Sequence, residues 1–154
     1  MAVVVGVNGS PASQWALAWA LGTARRYGVP LTVVAAYMPP TSGGMYGPVG
    51  AAVGADARTV VEEAFRDVCG GRPDDVRIDV TCVMSTAGRA LVSAAGPGDL
   101  LVIGSRGRLR GPTRRYCARR ARCPVVIVPS PDAADLIGHP VRTARRLARH
   151  TRHD

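Results

Sequence analysis

The stretch AVVVGVNGSPASQWALAWALGTARRYG, residues 2–28, predicts a strand, a turn and a helix in that order. It opens with a β-branched apolar run, and four apolar residues of its second half lie broadly on one face at helical spacing. These four are Trp15, Trp19, Leu21 and Ala24. Ser10 before Pro11 is a typical helix start, and Gly28 is a typical helix stop. A strand that leads directly into a helix is therefore the first unit of the fold.

The same alternation continues along the chain. LTVVAAY, VRIDVTCV, DLLVIG and PVVIV predict four further strands, and helices are predicted from about Ala57 to Cys69, in TAGRALVSAAG and in PTRRYCARRA. Continuous apolar strands between helices are typical of a parallel sheet covered on both faces. The fold class is therefore α/β, with an open parallel sheet of five strands. The intervening segment from Pro39 to Asp56 is rich in glycine and proline, which predicts an irregular flap.

Length and composition indicate one globular domain, residues 1–130, followed by a basic tail at 131–154 that is either helical or disordered. No apolar run approaches the roughly 18 residues of a membrane helix, and no basic region precedes an apolar one at the N-terminus. We therefore expect a cytoplasmic protein without a membrane span.

The formal net charge of +9 is carried by arginine, since the chain has no lysine. Eight arginines lie between Arg106 and Arg122, and five lie between Arg142 and Arg152. A coding bias towards arginine would explain the charge, whereas the clustering leaves a nucleic-acid or membrane partner open. Because no base-reading aromatic residues accompany the arginines, binding to nucleic acid is expected to be weak and nonspecific.

The sequence offers no catalytic residue and no metal site. Its histidines, His139, His150 and His153, all lie in the tail, so Ser10 and Ser105 have no general base. The four cysteines have neither CxxC spacing nor nearby histidines and are interpreted as reduced thiols packed in the interior. We therefore expect a protein that is not an enzyme.

Three segments of the chain together resemble the universal stress protein family: VVVGVNGSPAS, DLLVIGSRGR and CPVVIVP. The resemblance runs from Val3 to Pro129. It implies strand order 3-2-1-4-5 and usually a homodimer, here through the last strand from Val125 to Val128. In one branch of the family an adenine nucleotide binds between the ends of the first and fourth strands, whereas a second branch binds no ATP.

The resemblance assigns the nucleotide site to residues at the ends of the strands and in the loop after the fourth strand. They are Val7, Asn8, Ala36, Ile103, Gly104, Gly107, Gly111, Pro112 and Thr113. The binding branch has an aspartate where Asn8 stands and a loop written G-x2-G-x9-G-[ST]. Between Gly107 and Gly111 this chain has three residues instead of nine, which span about 10 Å rather than about 30 Å when extended.

Pro112 also replaces the hydroxyl residue of that loop and lacks an N–H. The glycines, a helix N-terminus at Gly111 to Thr113 and the neighbouring arginines still favour an anion. ATP or AMP binding is therefore lost, or it persists in a weakened or altered form.

Three functions follow. The first is a non-catalytic stress-response module that acts through dimerisation and protein partners, with ATP binding lost or strongly weakened. The second is an adenine-nucleotide-binding member of the same family. The third is a basic nucleic-acid- or membrane-associated protein that uses the same scaffold to hold its arginines.

Overall fold

A computed structural model describes residues 1–38, 47–106 and 111–131, with only the backbone described at 47–55 and at 106. Five parallel strands form one sheet in the order β3-β2-β1-β4-β5. The strands are β1 (Val3–Gly6), β2 (Leu31–Tyr37), β3 (Ile78–Met84), β4 (Leu100–Arg106) and β5 (Val125–Ser130). The helices are α1 (Pro11–Tyr27), α2 (Gly47–Cys69), α3 (Ala87–Ala94) and α4 (Pro112–Arg120). The predicted α/β class and strand order are confirmed.

Helix α1 begins and ends where the sequence indicates. The Ser10 hydroxyl accepts a hydrogen bond from the Ser13 amide and caps the first turn, and Pro11 needs no N–H partner there. Gly28 ends the helix with φ of 62°, a left-handed conformation that glycine adopts without strain.

The helices cover the two faces of the sheet unequally. Helices α1 and α2 pack on one face, which we call the core face, and α3 and α4 pack on the other. The larger buried cluster lies on the core face and includes Leu17, Val61 and Phe65, each fully buried. The smaller cluster, on the opposite face, includes Leu91 and Cys117. Trp15 and Trp19 are half-buried at the margin of the larger cluster.

The predicted flap is wrong in its second half, because α2 begins at Gly47 rather than near Ala57. Pro48 stands in the first turn of α2, where its missing N–H costs nothing. The helix tolerates the cost of about 1 kcal/mol for each interior glycine because its second half is held by packing, with Val61 and Phe65 buried. Residues 39–46 of the predicted flap lie outside the described part of the chain, as does the tail from residue 132.

The cysteine interpretation holds only in part. All four cysteines are free thiols, but only Cys117 is buried, whereas Cys69 is exposed at the end of α2. In the described ranges no helix is both long and apolar enough to pass through a lipid bilayer.

Candidate functional site

A cleft of about 150 Å³ opens at the carboxyl ends of the central strands. This edge of a parallel sheet, where the connections from β1 and β4 turn to opposite faces, is where α/β proteins of this kind hold ligands. Residues of β2, α1, α3 and α4 also line the cleft, so both helical layers contribute to its walls. The lining residues are Gly6, Val7, Asn8, Ser10, Ser13, Val34, Ala36, Ala87, Leu91, Ile103, Gly104 and Thr113.

The structure brings six of the predicted site residues to this cleft: Val7, Asn8, Ala36, Ile103, Gly104 and Thr113. Gly111 and Pro112 are adjacent to Thr113 but are not among the lining residues. Gly107 lies outside the described residues, as do Arg108, Leu109 and Arg110.

The turn between β1 and α1 is held by its own hydrogen bonds. The Asn8 side-chain oxygen Oδ1 accepts from the Ser10 amide at 3.0 Å. The Ser13 hydroxyl donates to the Ser10 carbonyl at 2.9 Å and accepts from the Asn8 amide at 3.3 Å. Gly9, with φ of 81°, provides the left-handed residue that this turn requires. The turn is therefore preformed, and the carboxamide NH2 of Asn8 is the donor that this exposed side chain can offer to a ligand.

Gly104 has a packing role that sequence reasoning missed. A Cβ atom at this position would lie 2.2 Å from the carbonyl oxygen and 2.5 Å from the carbonyl carbon of Ala12. The first turn of α1 therefore packs directly against the backbone of β4. Residues 104–106 are also the end of a strand and not a free tip, because Gly104 pairs with Val128 and Arg106 with Ser130.

The N-terminus of α4 lies at one end of the cleft, where Thr113 lines it. Gly111 is the N-cap residue and makes no side-chain hydrogen bond to the helix. Pro112 occupies the first helical position, so the first amides that α4 can direct to an anion belong to Thr113 and Arg114. The first turn contains no acidic residue to repel an anion. The helix dipole makes this end of the cleft electropositive.

Six lining residues were not predicted. Val34 lies two residues before Ala36 on the same side of β2, so strand alternation would have identified it. Ser10 and Ser13 follow from the cap of α1. Ala87 and Leu91 stand one turn apart on α3, and no local sequence signal places that helix over β1 and β2. Gly6 lies under α3, since a Cβ there would be 3.2 Å from the Leu91 side chain.

Burial raises the pKa of two thiols, one on α4 and one just after it. It raises the pKa of the Cys117 thiol to about 11, so this group stays protonated at neutral pH and is a poor nucleophile. Burial also raises the pKa of Cys123. Where the chain is described, no group of three or more histidine, cysteine, aspartate or glutamate side chains is placed to hold a metal ion.

Solved structures share this architecture. A universal stress protein crystallised in complex with cAMP is 28% identical, with a TM-score of 0.55 over 85% of this chain and 98% of that one. A universal stress protein family protein from Arabidopsis thaliana with AMP bound is 18% identical, with a TM-score of 0.60 over 91% and 97% of the two chains. The second likeness concerns the fold alone.

Universal stress proteins are also similar to this chain in sequence. Universal stress protein Rv2005c of Mycobacterium tuberculosis is 32% identical over 148 residues, which cover 85% of this chain and 48% of the relative. Universal stress protein Rv2623 of the same organism is 30% identical over 157 residues, which cover 91% and 50%. The chain thus spans about half the length of these relatives. The model of the universal stress protein family matches residues 1–129, and the chain belongs to that family.

Proposed function

We propose that this chain is a non-catalytic regulatory module whose cleft keeps the end that receives a base and ribose but has lost most of its affinity for ATP. The main support for this proposal is the start of α4, where Pro112 occupies the first helical position. The loop before it has only three residues between its last two glycines. The cAMP complex of the relative that is 28% identical supports a cleft for a compact nucleotide.

The base end of the cleft is apolar and shaped by small side chains. Val34 and Ala36 from β2, Leu91 from α3 and Ile103 from β4 form its walls. Apolar walls with a few polar groups at one end are typical of small-molecule sites. The side-chain carboxamide NH2 of Asn8 lies at the polar end of the cleft and can donate to a ribose oxygen or a base edge.

The site departs from the ATP-binding pattern at three points, two of them at the phosphate end. The shortened loop removes backbone amides from the outer phosphates, Pro112 removes one amide and one hydroxyl, and Asn8 removes a charge near the sugar. Each lost charge-assisted hydrogen bond is worth roughly 1.5 to 3 kcal/mol. Two or three losses weaken binding by about two to six powers of ten.

The position of the histidines supports a non-catalytic role. His139, His150 and His153 all follow residue 129, where the family match ends. The Ser13 hydroxyl is buried and already hydrogen-bonded to the Ser10 carbonyl, so it is not poised as a nucleophile.

Calorimetry with AMP, cAMP and ATP tests this proposal on the purified chain. We expect no ATP heat at submillimolar concentration and stronger binding of AMP or cAMP than of ATP. A variant with six residues inserted after Leu109, together with Asn8→Asp and Pro112→Ser, should gain ATP binding. The same variant with Ala36→Leu, which fills the base end, is the control and should lose it again. Tight ATP binding by the unmodified chain would contradict the proposal.

We propose a second copy of the chain as the partner at the β5 edge. Val125, Val126 and Ile127 are only half-buried along this edge, and an apolar edge strand left open invites aggregation. Sedimentation at micromolar concentration should show a dimer that Ile127→Lys dissociates. Thr81→Lys on the other edge strand, β3, is the matched control and should leave the dimer intact. A well-behaved monomer that Ile127→Lys does not change would argue against this interface.

A further inference from the structure

Helices α3 and α4 carry exposed arginines and no acidic residue. We call this set the arginine face: Arg89, Arg115, Arg119, Arg120 and Arg122. Between Val80 and Pro131 the sequence contains one acidic residue, Asp99. Its carboxylate accepts hydrogen bonds at 2.8 Å from the amides of Ala2 and Gly96, at the turn before β4. Asp99 lies near one member of this set, because Asp99 and Arg122 both act electrostatically on the Cys123 thiol. The other four arginines make no ion pair with a described residue.

The acidic residues lie elsewhere in the described chain. Four of them stand on α2: Asp56, Glu62, Glu63 and Asp67. Ion pairs are seen elsewhere among the described residues. Arg25 pairs with Asp75 at 2.6 Å, and Arg77 with Asp79 at 3.6 Å. A coding bias towards arginine would not by itself separate arginines from acids, whereas α3 and α4 carry arginines and no acidic residue.

Helix α4 presents its arginines from a fixed position. Cys117 is its only buried residue, and at about 100° per residue Arg115 and Arg119 point to the opposite side of the helix. Tyr116 packs against Gly88 of α3 so closely that a Cβ on Gly88 would lie 2.9 Å from the Tyr116 Cβ. The Arg120 guanidinium lies 5.8 Å from the centre of the Tyr116 ring. The two helices thus form one support for the positive charge.

We propose that the arginine face binds the phosphate backbone of nucleic acid without reading the bases. Exposed cations on a fixed helix neutralise phosphates and release counterions, and this contact requires no apolar anchor. The large hydrophobic residues exposed in the described chain are Met1, Tyr27, Met38 and Met84, and none lies on α3 or α4.

The lack of exposed large hydrophobic residues on α3 and α4 argues against a membrane or a protein as the partner. Helices that lie on a membrane surface carry bulky apolar residues beside their basic ones. Protein interfaces are centred on buried aromatic or apolar anchors. The proposed surface is distinct from the nucleotide cleft and does not depend on the proposed function.

The test measures binding of the full-length protein to a labelled DNA duplex of about 20 base pairs between roughly 50 mM and 200 mM salt. With five phosphate contacts the slope of log affinity against log salt should be about −4 to −5, an affinity loss of several hundred-fold over this range. Arg115→Gln with Arg119→Gln should reduce the slope by about 2 and lower the affinity at least tenfold at the lowest salt.

Arg58→Gln with Arg66→Gln on α2 is the matched control, because it removes the same charge from exposed positions on the other face. It should change the affinity by less than about twofold. Thermal melting of both double variants verifies that they fold.

Four results would overturn the proposal: no duplex binding at the lowest salt, equal losses from the two double variants, a face variant that binds like the unmodified chain, or selectivity among duplex sequences. Binding to phosphatidylserine vesicles without binding to the duplex would instead identify a membrane surface.

Discussion

The two faces of the sheet are built differently. On the core face, α1 has 17 residues and α2 has 23, and their apolar sides bury Leu17, Val61 and Phe65 completely. On the other face, α3 has eight residues and α4 has nine, and α4 buries only Cys117. The short helices nevertheless supply Leu91 and Thr113 to the cleft and carry the arginine face. We infer that the core face supplies most of the stability, while the opposite face is adapted to ligands.

The largest expected effect tests this division directly. Phe65→Ala should lower the free energy of unfolding by about 3 to 5 kcal/mol, because Phe65 is fully buried and its removal leaves a cavity. Cys117→Ala, at the equally buried position on α4, should cost only about 1 kcal/mol, because it removes a single heavy atom. Urea unfolding of both variants measures the difference. Equal losses would contradict the division of roles between the faces.

On the core face the sequence predicted α1 well and α2 poorly. The cap at Ser10, the proline at the first helical position and the stop at Gly28 are local signals, and they fixed α1 to within a residue. The predicted start of α2 is too late, because the glycines in its first residues, GPVGAAVGAD, are typical of a loop. A helix held by packing tolerates glycines that an isolated helix would not.

The cleft was predicted by a different kind of information. The family resemblance assigned Val7, Asn8, Ile103 and Gly104 to the site, and the structure places them at strand ends that meet at one edge of the sheet. Leu91 and Ala87 could not be found in this way, because the position of α3 over β1 and β2 depends on contacts distant in sequence. The packing role of Gly104 was hidden for the same reason, since the carbonyl it admits belongs to Ala12, 92 positions earlier in the chain.

The next prediction concerns the point where α1 meets β4. Gly104→Ala should cost about 3 kcal/mol or more, because the new Cβ meets backbone atoms that cannot move aside as a side chain can. Gly111→Ala is the matched control, since no described residue has an atom within 4 Å of a Cβ added there and its φ of −165° is open to any residue. Thermal or urea unfolding measures both. A Gly104→Ala protein as stable as the control would show that α1 can move away from β4, and the two elements would then not be tightly packed.

The smallest expected effect is the pH dependence contributed by Cys117. Burial raises the pKa of its thiol to about 11 in the folded protein, from an ordinary value of 9.0. The folded state therefore holds this proton after the unfolded state has released it. The resulting contribution to stability is complete below about pH 9 and is lost as the pH rises from about 9 to 11.

Urea unfolding at intervals across this range should show a steeper fall for the unmodified chain than for Cys117→Ala, with a difference of at most about 2 kcal/mol at the upper end. Cys69→Ala is the matched control, because this exposed thiol lies at the end of α2, outside the buried interior. It should follow the curve of the unmodified chain. Identical curves for all three proteins would mean that water reaches the Cys117 thiol. The smaller buried cluster, under α3 and α4, would then not be closed to solvent.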